Sequence, residues 1–430
     1  MQGAFRNIWK IEDLRRKIIF TLLLLLVFRV GSHIPVPGVD ASALKAAGEA
    51  NNILGVLNTF SGGALENFSV FAMSIAPYIT ASIIVQLLTM DVVPKFAEWA
   101  REGESGRRKL AQVTRYGTII LGFIQAIGLS VGFNRMFPGL IQDPSFTTYA
   151  VIAITLTAGT AFLMWLGEQI TESGIGNGIS IIIFAGIVAM IPGGITTIYA
   201  QMFYEKTQAE LFISMLQGLV ILLGVIVIIM GIIYIQQGIR KIPVQYAKRV
   251  VGNRMYGGQK THIPVKVNAA GVIPVIFASS LMLFPSTLAS FRAGNPIADW
   301  FLRNFDPQAG LYTFLFVILI IGFTYFYTFV QINPVNMAEQ MKKNSGFIPG
   351  IRPGKTTAMY ITRVMNRITL AGAIFLAAVA VMPVIFGSLT GLNIYFGGTA
   401  LLIVIGVALD TMKQIENQLL MRHYQGFIKK

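Results

Sequence analysis

The chain has 430 residues, of which 54% are hydrophobic and only 12% are charged, and its formal net charge is +15. Soluble proteins carry about 25% charged residues, so this composition excludes an ordinary soluble fold and indicates a polytopic membrane protein. The absence of cysteine excludes disulfides, thiolate nucleophiles and cysteine-ligated metals.

Ten hydrophobic stretches follow one another along the chain, each close to the ~20 residues that cross ~30 Å of hydrocarbon. The first follows Arg15, Arg16 and Lys17 as a signal peptide would, but "GSHIPVPG" after it has no small-residue cleavage pattern, so we expect a retained helix. We therefore predict an all-α fold with spans at 18–34, 74–90, 117–136, 147–167, 178–193, 211–234, 269–289, 311–331, 368–387 and 394–412.

The stretch in front of the second span, "SGGALENFSVFAM" at 61–73, is too apolar for an ordinary loop and too polar and short to cross a bilayer. Half-helical or irregular backbone is tolerated at membrane depth only where it is buried in protein or lines a water-filled cavity. The stretch therefore predicts a cavity reached from outside, with a short re-entrant helix in it.

The basic residues fix an orientation for the spans. The N-terminus to Lys17, the tail from Lys413 and the loops 91–116, 235–268 and 332–367 together contain 28 of the 34 Lys and Arg residues. These segments all lie on one side if there are ten spans, and by the positive-inside rule that side is cytoplasmic. Both termini are then predicted to be cytoplasmic. A division of the spans into two inverted sets of five is compatible with the sequence, which does not establish it.

Ionisable side chains inside a membrane usually mark a proton or ion path, and here the span centres are nearly free of them. Arg29 lies inside the first span, whereas Glu168 and Asp410 lie near cytoplasmic ends. No spacing of His and acidic residues fits a metal site, and no nucleophile–base pair can be proposed. We therefore expect no enzyme activity, no cofactor and no metal.

Two isoleucine pairs stand out among the apolar residues of the spans. Ile79 and Ile83 are four residues apart, as are Ile179 and Ile183, so each pair shares one face of a helix. This spacing is equally typical of lipid-facing or core residues, and by itself it does not indicate a function.

Two cytoplasmic loops are unusually basic. Loop 235–268 contains seven Lys and Arg residues and no Asp or Glu, and its stretches "KIPVQY" and "HIPVKV" predict a twisted hairpin. Loop 332–367 contains six more basic residues against one acid. Topology signals and anionic lipid headgroups would explain charges near the membrane, but Arg249 and Arg254 lie far from either span, which favours a large acidic or polyanionic partner.

Six stretches in order resemble the SecY family of channel-forming subunits of the general protein-translocation machinery. They are "FSGGALENFSVFAMSIAPYITASIIVQLL", "EGESGRRK", "GEQITESGIGNGISIIIFAGIV", "GVIPVIFASS", "FIPGIRPGK" and "FGGTALLIV", and the resemblance covers essentially the whole chain. It implies two inverted, pseudo-symmetric halves of five helices, 1–200 and 201–430, around a central pore in the cytoplasmic membrane of a bacterium. The function implied is translocation of unfolded secretory polypeptides across this membrane and lateral release of membrane-protein segments into it.

The resemblance also assigns roles to residues. Residues 61–71 would be a plug that closes the outer funnel, carried by Ser61, Gly62, Gly63, Ala64, Leu65, Glu66, Asn67 and Phe68. The pore ring would comprise Ile79, Ile83, Ile179, Ile183, Ile276 and Ile403. A lateral gate would lie where the second and third spans meet the seventh and eighth, and its polar residues would be Ser82, Gln86, Gln125, Ser279 and Ser280, although ordinary packing explains them equally well.

Partners follow from the same resemblance. The family's small membrane subunits SecE and SecG, the motor ATPase SecA, the ribosome, signal peptides, unfolded polypeptides and membrane lipids would all contact the chain. Docking of the ribosome or motor would use Lys248, Arg249, Arg254 and Arg352. The competing interpretation from the sequence is a secondary transporter for a small solute, which also uses inverted repeats and interrupted helices; the lack of coupling carboxylates in the spans argues against it.

Overall fold

The computed structural model describes most of the chain at the level of individual residues. The described residues are 11–40, 44, 58, 61–90, 92–203, 208–246, 249–251, 254–256, 260–290, 295–306, 309–390 and 398–428. Lys248 and residues 394–397 of the last predicted span lie outside this set.

Helices dominate the described residues. They are α1 (Glu12–Gly31), α2 (Ala76–Leu88), α3 (Pro94–Arg101), α4 (Glu104–Met136), α5 (Phe146–Ser173), α6 (Gly178–Phe203), α7 (Gln208–Gln237), α8 (Ile273–Ser290), α9 (Pro296–Asn304), α10 (Gly310–Gln331), α11 (Pro334–Lys343), α12 (Lys355–Thr390) and α13 (Gly398–Ile428). Local sequence sets several of the starts: the Ser145 side chain accepts from the Thr148 amide before α5, and Asn333 accepts from two amides before α11, which has proline at its first position.

Each predicted span corresponds to one helix, but several boundaries were wrong. The third, ninth and tenth spans continue into long polar helical segments, so that α4 begins at Glu104, α12 begins at Lys355 and α13 extends to Ile428. Polar residues in water form helix as readily as apolar residues in lipid, so hydropathy locates the membrane segment and not the helix end. The fifth predicted span ends at residue 193, but helix α6 contains Pro192 and continues to Phe203.

In the part of the chain that the structure describes, seven helices are long and apolar enough to cross a membrane by length and composition alone. The shorter apolar helices are Ala76–Leu88, which follows a series of turns, and the first part of α8. Helix α1 completes the ten that correspond to predicted spans, and its first turns carry the charged residues of the segment 12–17.

The helices pack as two bundles that meet along two lines. In the first bundle α5 contacts α1, α2, α4 and α6, and in the second α12 contacts α7, α10, α11 and α13. One line of contact, here called the gate seam, is formed where α8 packs against α2 and α4. On the other, α6 packs against α7 and α13. In the described residues, the two bundles therefore contact each other through only a few helices.

The predicted hairpin in loop 235–268 is confirmed and is larger than expected. Strand β1 (Ile239–Tyr246) pairs antiparallel with β4 (Lys260–Lys266), and a two-stranded tip is formed by β2 (Arg249–Val251) and β3 (Arg254–Tyr256). Strand β5 (Gly346–Phe347), from the other basic loop, pairs with the end of β1. A shared apolar cluster that includes Ile242, Val265 and Ile361 makes the two loops one packed unit.

Candidate pore and its closing segment

The structure brings all six predicted ring isoleucines into one hydrophobic cluster. Five of them are between 0% and 8% exposed, and Ile179 packs against the cluster half-buried. They come from α2, α6, α8 and α13, so both bundles contribute. We call this group, with the buried apolar residues around it, the central cluster; the ring members are Ile79, Ile83, Ile179, Ile183, Ile276 and Ile403.

The segment in front of α2 folds as turns rather than as the short helix that the sequence predicted for 61–71. Helical geometry ends at Ser61, and hydrogen-bonded turns continue to the start of α2 at Ala76. The reason is the backbone: Gly62 and Gly63 have φ of 67° and 87°, and Phe68 has φ of 40°. Left-handed geometry at three positions interrupts a right-handed helix, and at Phe68 it is uncommon for a residue with a side chain.

This segment, residues 61–75, is internally tied by Asn58. The Asn58 side chain donates to the Glu66 carboxylate over 2.8 Å and accepts from the Glu66 amide over 3.1 Å. The Asn58 carbonyl accepts from the Gly63 amide and from the Ser61 hydroxyl. These bonds satisfy polar groups that would otherwise be buried without partners, so the segment is a compact unit.

The segment packs against two apolar clusters. Ala64 is fully buried in the central cluster, while Leu65 and Phe68 are buried in a second cluster formed with α4 and α5. Gly62 lies directly against α6, where a Cβ atom at Gly62 would be 2.6 Å from the Gly186 Cα. Residues 61–75 therefore pack against helix α6 and the central cluster, to which the ring isoleucines belong.

Helix α1 and the chain that follows it form hydrogen bonds with the segment at two places. Arg29 donates from its guanidinium to the Gly62 carbonyl over 2.7 Å. At the other end the Val36 amide donates to the Phe68 carbonyl, and the Val70 amide donates to the Ile34 carbonyl, each over 3.0 Å. The sequence had marked Arg29 as a charge inside a span, but nothing in the sequence indicated what it would contact.

The polar residues predicted for a gate lie in the helices of the gate seam. Their side-chain hydrogen bonds are local: Gln86 donates to Ser82 over 3.3 Å, and Ser279 donates to the Ile276 carbonyl over 2.9 Å. Gln86 Oε1 is buried and has no hydrogen-bond partner. Gln125 is half-buried on α4 and Ser280 is buried on α8. In the described residues, therefore, these side chains do not bond the two halves to each other.

Of the four predicted docking residues, the structure describes three. Arg249 and Arg254 begin the two strands of the hairpin tip, and Arg352 is exposed in the turn that follows β5. Because β5 pairs with β1, the loop that carries Arg352 is attached to the hairpin. The sequence did not predict this pairing, which joins residues about a hundred positions apart.

Two further features were not anticipated. An open apolar pocket of about 360 Å³ lies between α1, α6 and α13, and its lining includes Leu22, Phe184 and Met412. In the first bundle, Arg115 on α4 forms an ion pair of 2.8 Å with Glu168 on α5. Within the described ranges, no group of three or more His, Asp or Glu side chains is placed to bind a metal ion.

Comparison with known proteins gives consistent results for sequence and fold. The family model described as SecY matches residues 69–412. The protein translocase subunit SecY of Halalkalibacterium halodurans is 61% identical over 432 residues, and that of Bacillus subtilis is 54% identical over 432 residues; each alignment covers 100% of both chains.

Solved structures share the fold at much lower identity. A chain described as a protein conducting channel has a TM-score of 0.62 and 18% identity, and the match covers 94% of this chain and 92% of that one. Sec61 in a canine ribosome–channel complex from the endoplasmic reticulum has a TM-score of 0.58 with the same identity and coverage. At this identity the structural likeness concerns the fold alone.

Proposed function

Because this chain belongs to the SecY family of protein translocase subunits, and is therefore a protein-conducting channel and not an enzyme, we propose that the central cluster is its closed constriction. The observation that carries the proposal is the convergence of six isoleucines from four helices and both bundles. A pore between two halves must be lined by both of them, and lipid-facing residues would not meet in one buried group.

A ring of branched apolar side chains suits a channel for polypeptides. Hydrophobic constrictions block ions by dewetting and need no charged gate. The ring also presents no fixed pattern of hydrogen-bond donors and acceptors, so side chains of any type can pass once the halves separate. The six members proposed are Ile79, Ile83, Ile179, Ile183, Ile276 and Ile403.

Residues 61–68 are the proposed plug, which closes the channel on the side away from the basic loops. Its seat between α6 and the central cluster supports this role, since Ala64 is buried against the ring helices. Its compact internal bonding through Asn58 also supports it, because a plug has to leave and return as one body.

The test of the plug is a deletion. Removing residues 62–70 should raise ion leakage across proteoliposomes while protein translocation continues, because the apolar ring and the halves remain. A milder test compares Gly62→Ala with Gly139→Ala. Both glycines have positive φ, but the added Cβ atom would meet backbone atoms only at Gly62, whereas at Gly139 it would have open space. Gly62→Ala should leak and Gly139→Ala should not; unchanged conductance in the deletion would reject the plug.

The gate seam is the proposed exit to lipid. Membrane interhelical hydrogen bonds average only ~0.6 kcal/mol, and the polar side chains proposed here, Ser82, Gln86, Gln125, Ser279 and Ser280, make none across the seam among the described residues. Separation of α8 from α2 and α4 therefore costs mainly apolar contact, which lipid or an apolar peptide segment replaces. A covalent cross-link between α2 and α8 should prevent lateral release of membrane segments; continued release would reject this exit.

Residues 1–200 and 201–430 are proposed as two inverted halves in a bacterial cytoplasmic membrane, with both termini cytoplasmic. The distribution of Lys and Arg supports this orientation. Single cysteines added near either terminus of this cysteine-free chain should react with a membrane-impermeant maleimide only from the cytoplasmic side. Labelling of either from outside would reject the orientation.

The proposed function also includes binding partners. The Sec61 match was observed in a ribosome–channel complex. The basic loop 235–268, which includes Lys248, Arg249 and Arg254, together with Arg352 offers charge complementary to ribosomal RNA or to an acidic surface of the SecA motor. The apolar pocket between α1, α6 and α13 fits a helix of a small membrane subunit such as SecE or SecG. Signal peptides and unfolded polypeptides are the cargo. Family membership rules out the alternative of a small-solute transporter.

A further inference from the structure

Arg29 is the one feature of the sequence that this channel function leaves unexplained. It lies in the last turn of α1, inside the first predicted span. A charged side chain at membrane depth is costly and usually has a specific partner. A cation in the last turn of a helix is favoured by the helix dipole, but that attraction acts at any rotamer and does not direct the guanidinium to another segment.

The partner is the first residue of the plug's turns. Arg29 donates to the Gly62 carbonyl over 2.7 Å, across a sequence separation of 33 residues. Charge-assisted bonds of this length are about twice as strong as neutral ones. The carbonyl is held in place for this bond, because Gly62 has left-handed backbone geometry and packs directly on Gly186.

The two ends of the plug are bonded differently. At its far end two backbone hydrogen bonds join Phe68 and Val70 to the chain that continues from α1, at Val36 and Ile34. At its near end the described hydrogen bond to α1 is the single one from the Arg29 side chain. A rotamer change of Arg29 therefore breaks the described hydrogen bond between the near end and α1, while the far end remains attached as a pivot. The near end is then held by its bonds to Asn58 and its packing on α6.

We propose that Arg29 is a latch: a positioning residue that keeps the plug seated by binding the Gly62 carbonyl, and whose release lets residues 61–67 swing about the Val36–Phe68 connection. This inference rests on the proposed plug role of the segment. It adds a defined release point to that role, in which opening begins with exchange of one guanidinium–carbonyl bond and not with loss of the whole packed surface.

The experiment uses the natural absence of cysteine. Ala64→Cys places a single thiol on the plug at a fully buried site, and Ala373→Cys places one at an equally buried site on α12 in the other bundle. The full chain with its membrane partners is reconstituted, and the rate of reaction with a water-soluble maleimide is measured in three backgrounds: Arg29→Met, Arg29→Lys and Arg303→Met. Arg303 is an exposed cation on α9 and serves as the charge control.

Arg29→Met should raise labelling at position 64 by about tenfold, the factor that ~1.4 kcal/mol represents, and leave position 373 unchanged. Arg29→Lys keeps the charge and a donor and should restore part of the protection, which a purely structural role would not predict. Arg303→Met should have no effect. Unchanged labelling of position 64 in Arg29→Met, or an equal rise at both positions, would overturn the latch.

The latch and the plug can fail separately. Labelling reports seating of the segment, whereas ion conductance of the 62–70 deletion reports whether the segment seals the channel. A leaking deletion with no labelling change in Arg29→Met would reject the latch and keep the plug. A tight deletion with increased labelling would keep the bond as an anchor of the segment and reject the plug.

Discussion

The isoleucine ring makes a prediction that can be worked out from burial. Ile403 is fully buried in the central cluster. Replacing it by Asn removes an apolar side chain whose burial stabilises the closed state by about 1.5–3 kcal/mol. It also buries an amide with no assigned partner, which costs about 1–3 kcal/mol in proteins. Both effects disappear when the pore opens and becomes wet, so both shift the equilibrium toward the open state.

The smallest sum, about 2.5 kcal/mol, corresponds to a shift of roughly 70-fold in the closed-to-open ratio. Ile403→Asn should therefore raise ion conductance in proteoliposomes and allow export of reporters with defective signal sequences. The matched control is Ile374→Asn on α12, where the isoleucine is 54% exposed to the surroundings of the bundle. That variant should lower the amount of inserted protein without opening the pore. Equal conductance in the two variants would refute the assignment of the ring.

Further predictions concern the charged surfaces. Arg115→Glu should lower the melting temperature slightly, since a partly exposed pair is worth at most about 1 kcal/mol, and adding Glu168→Arg should recover it; no recovery would mean that the ion pair is not what couples α4 to α5. Reversing three basic charges of loop 235–268 to Glu should abolish co-sedimentation with ribosomes or the motor while insertion remains normal; the positions are Lys248, Arg249 and Arg254. Arg352→Glu should block motor-driven export, and unimpaired export would exclude this residue from docking. Binding to the unmodified chain should fall steeply with added salt, because the Debye length is only ~3 Å at 1 M; salt-independent binding would contradict an electrostatic dock.

Most of the fold could be predicted from hydrophobicity alone, because the bilayer requires long apolar runs and the chain has ten of them. The hairpin was predictable too, since "KIPVQY" and "HIPVKV" lie in the two strands β1 and β4, which pair antiparallel. The helix ends were not, as α12 shows: its first turns from Lys355 are largely polar and pack against α11. No hydropathy signal distinguishes such a helix from a loop.

The site was less accessible to sequence reasoning. The spacing of Ile79 and Ile83 indicates a helix face but not which way that face points, and only the resemblance to a family gave it a role. The turns at 61–75 depend on positive φ at Phe68 and Ser74, which residue type does not predict. The contact of Arg29 with Gly62 and the pairing of β5 with β1 join distant parts of the chain, and such contacts are products of the tertiary fold.

A channel for polypeptides has to be closed to ions and yet open for a substrate that supplies little binding energy of its own. The contacts of the described residues fit both requirements. The proposed constriction is apolar, and hydrogen bonds are few at the gate seam, where the helices have to separate. The proposed ring would exclude ions without any bond that must be broken. The gate seam carries an unpartnered acceptor, Gln86 Oε1, whose burial raises the free energy of the closed state. Among the described contacts between residues 61–75 and α1, the charge-assisted bond is the one from Arg29 to Gly62. The closed state is therefore stabilised chiefly by apolar burial. An entering hydrophobic signal segment can replace these apolar contacts. The apolar burial that seals the channel thus also lets a hydrophobic segment open it.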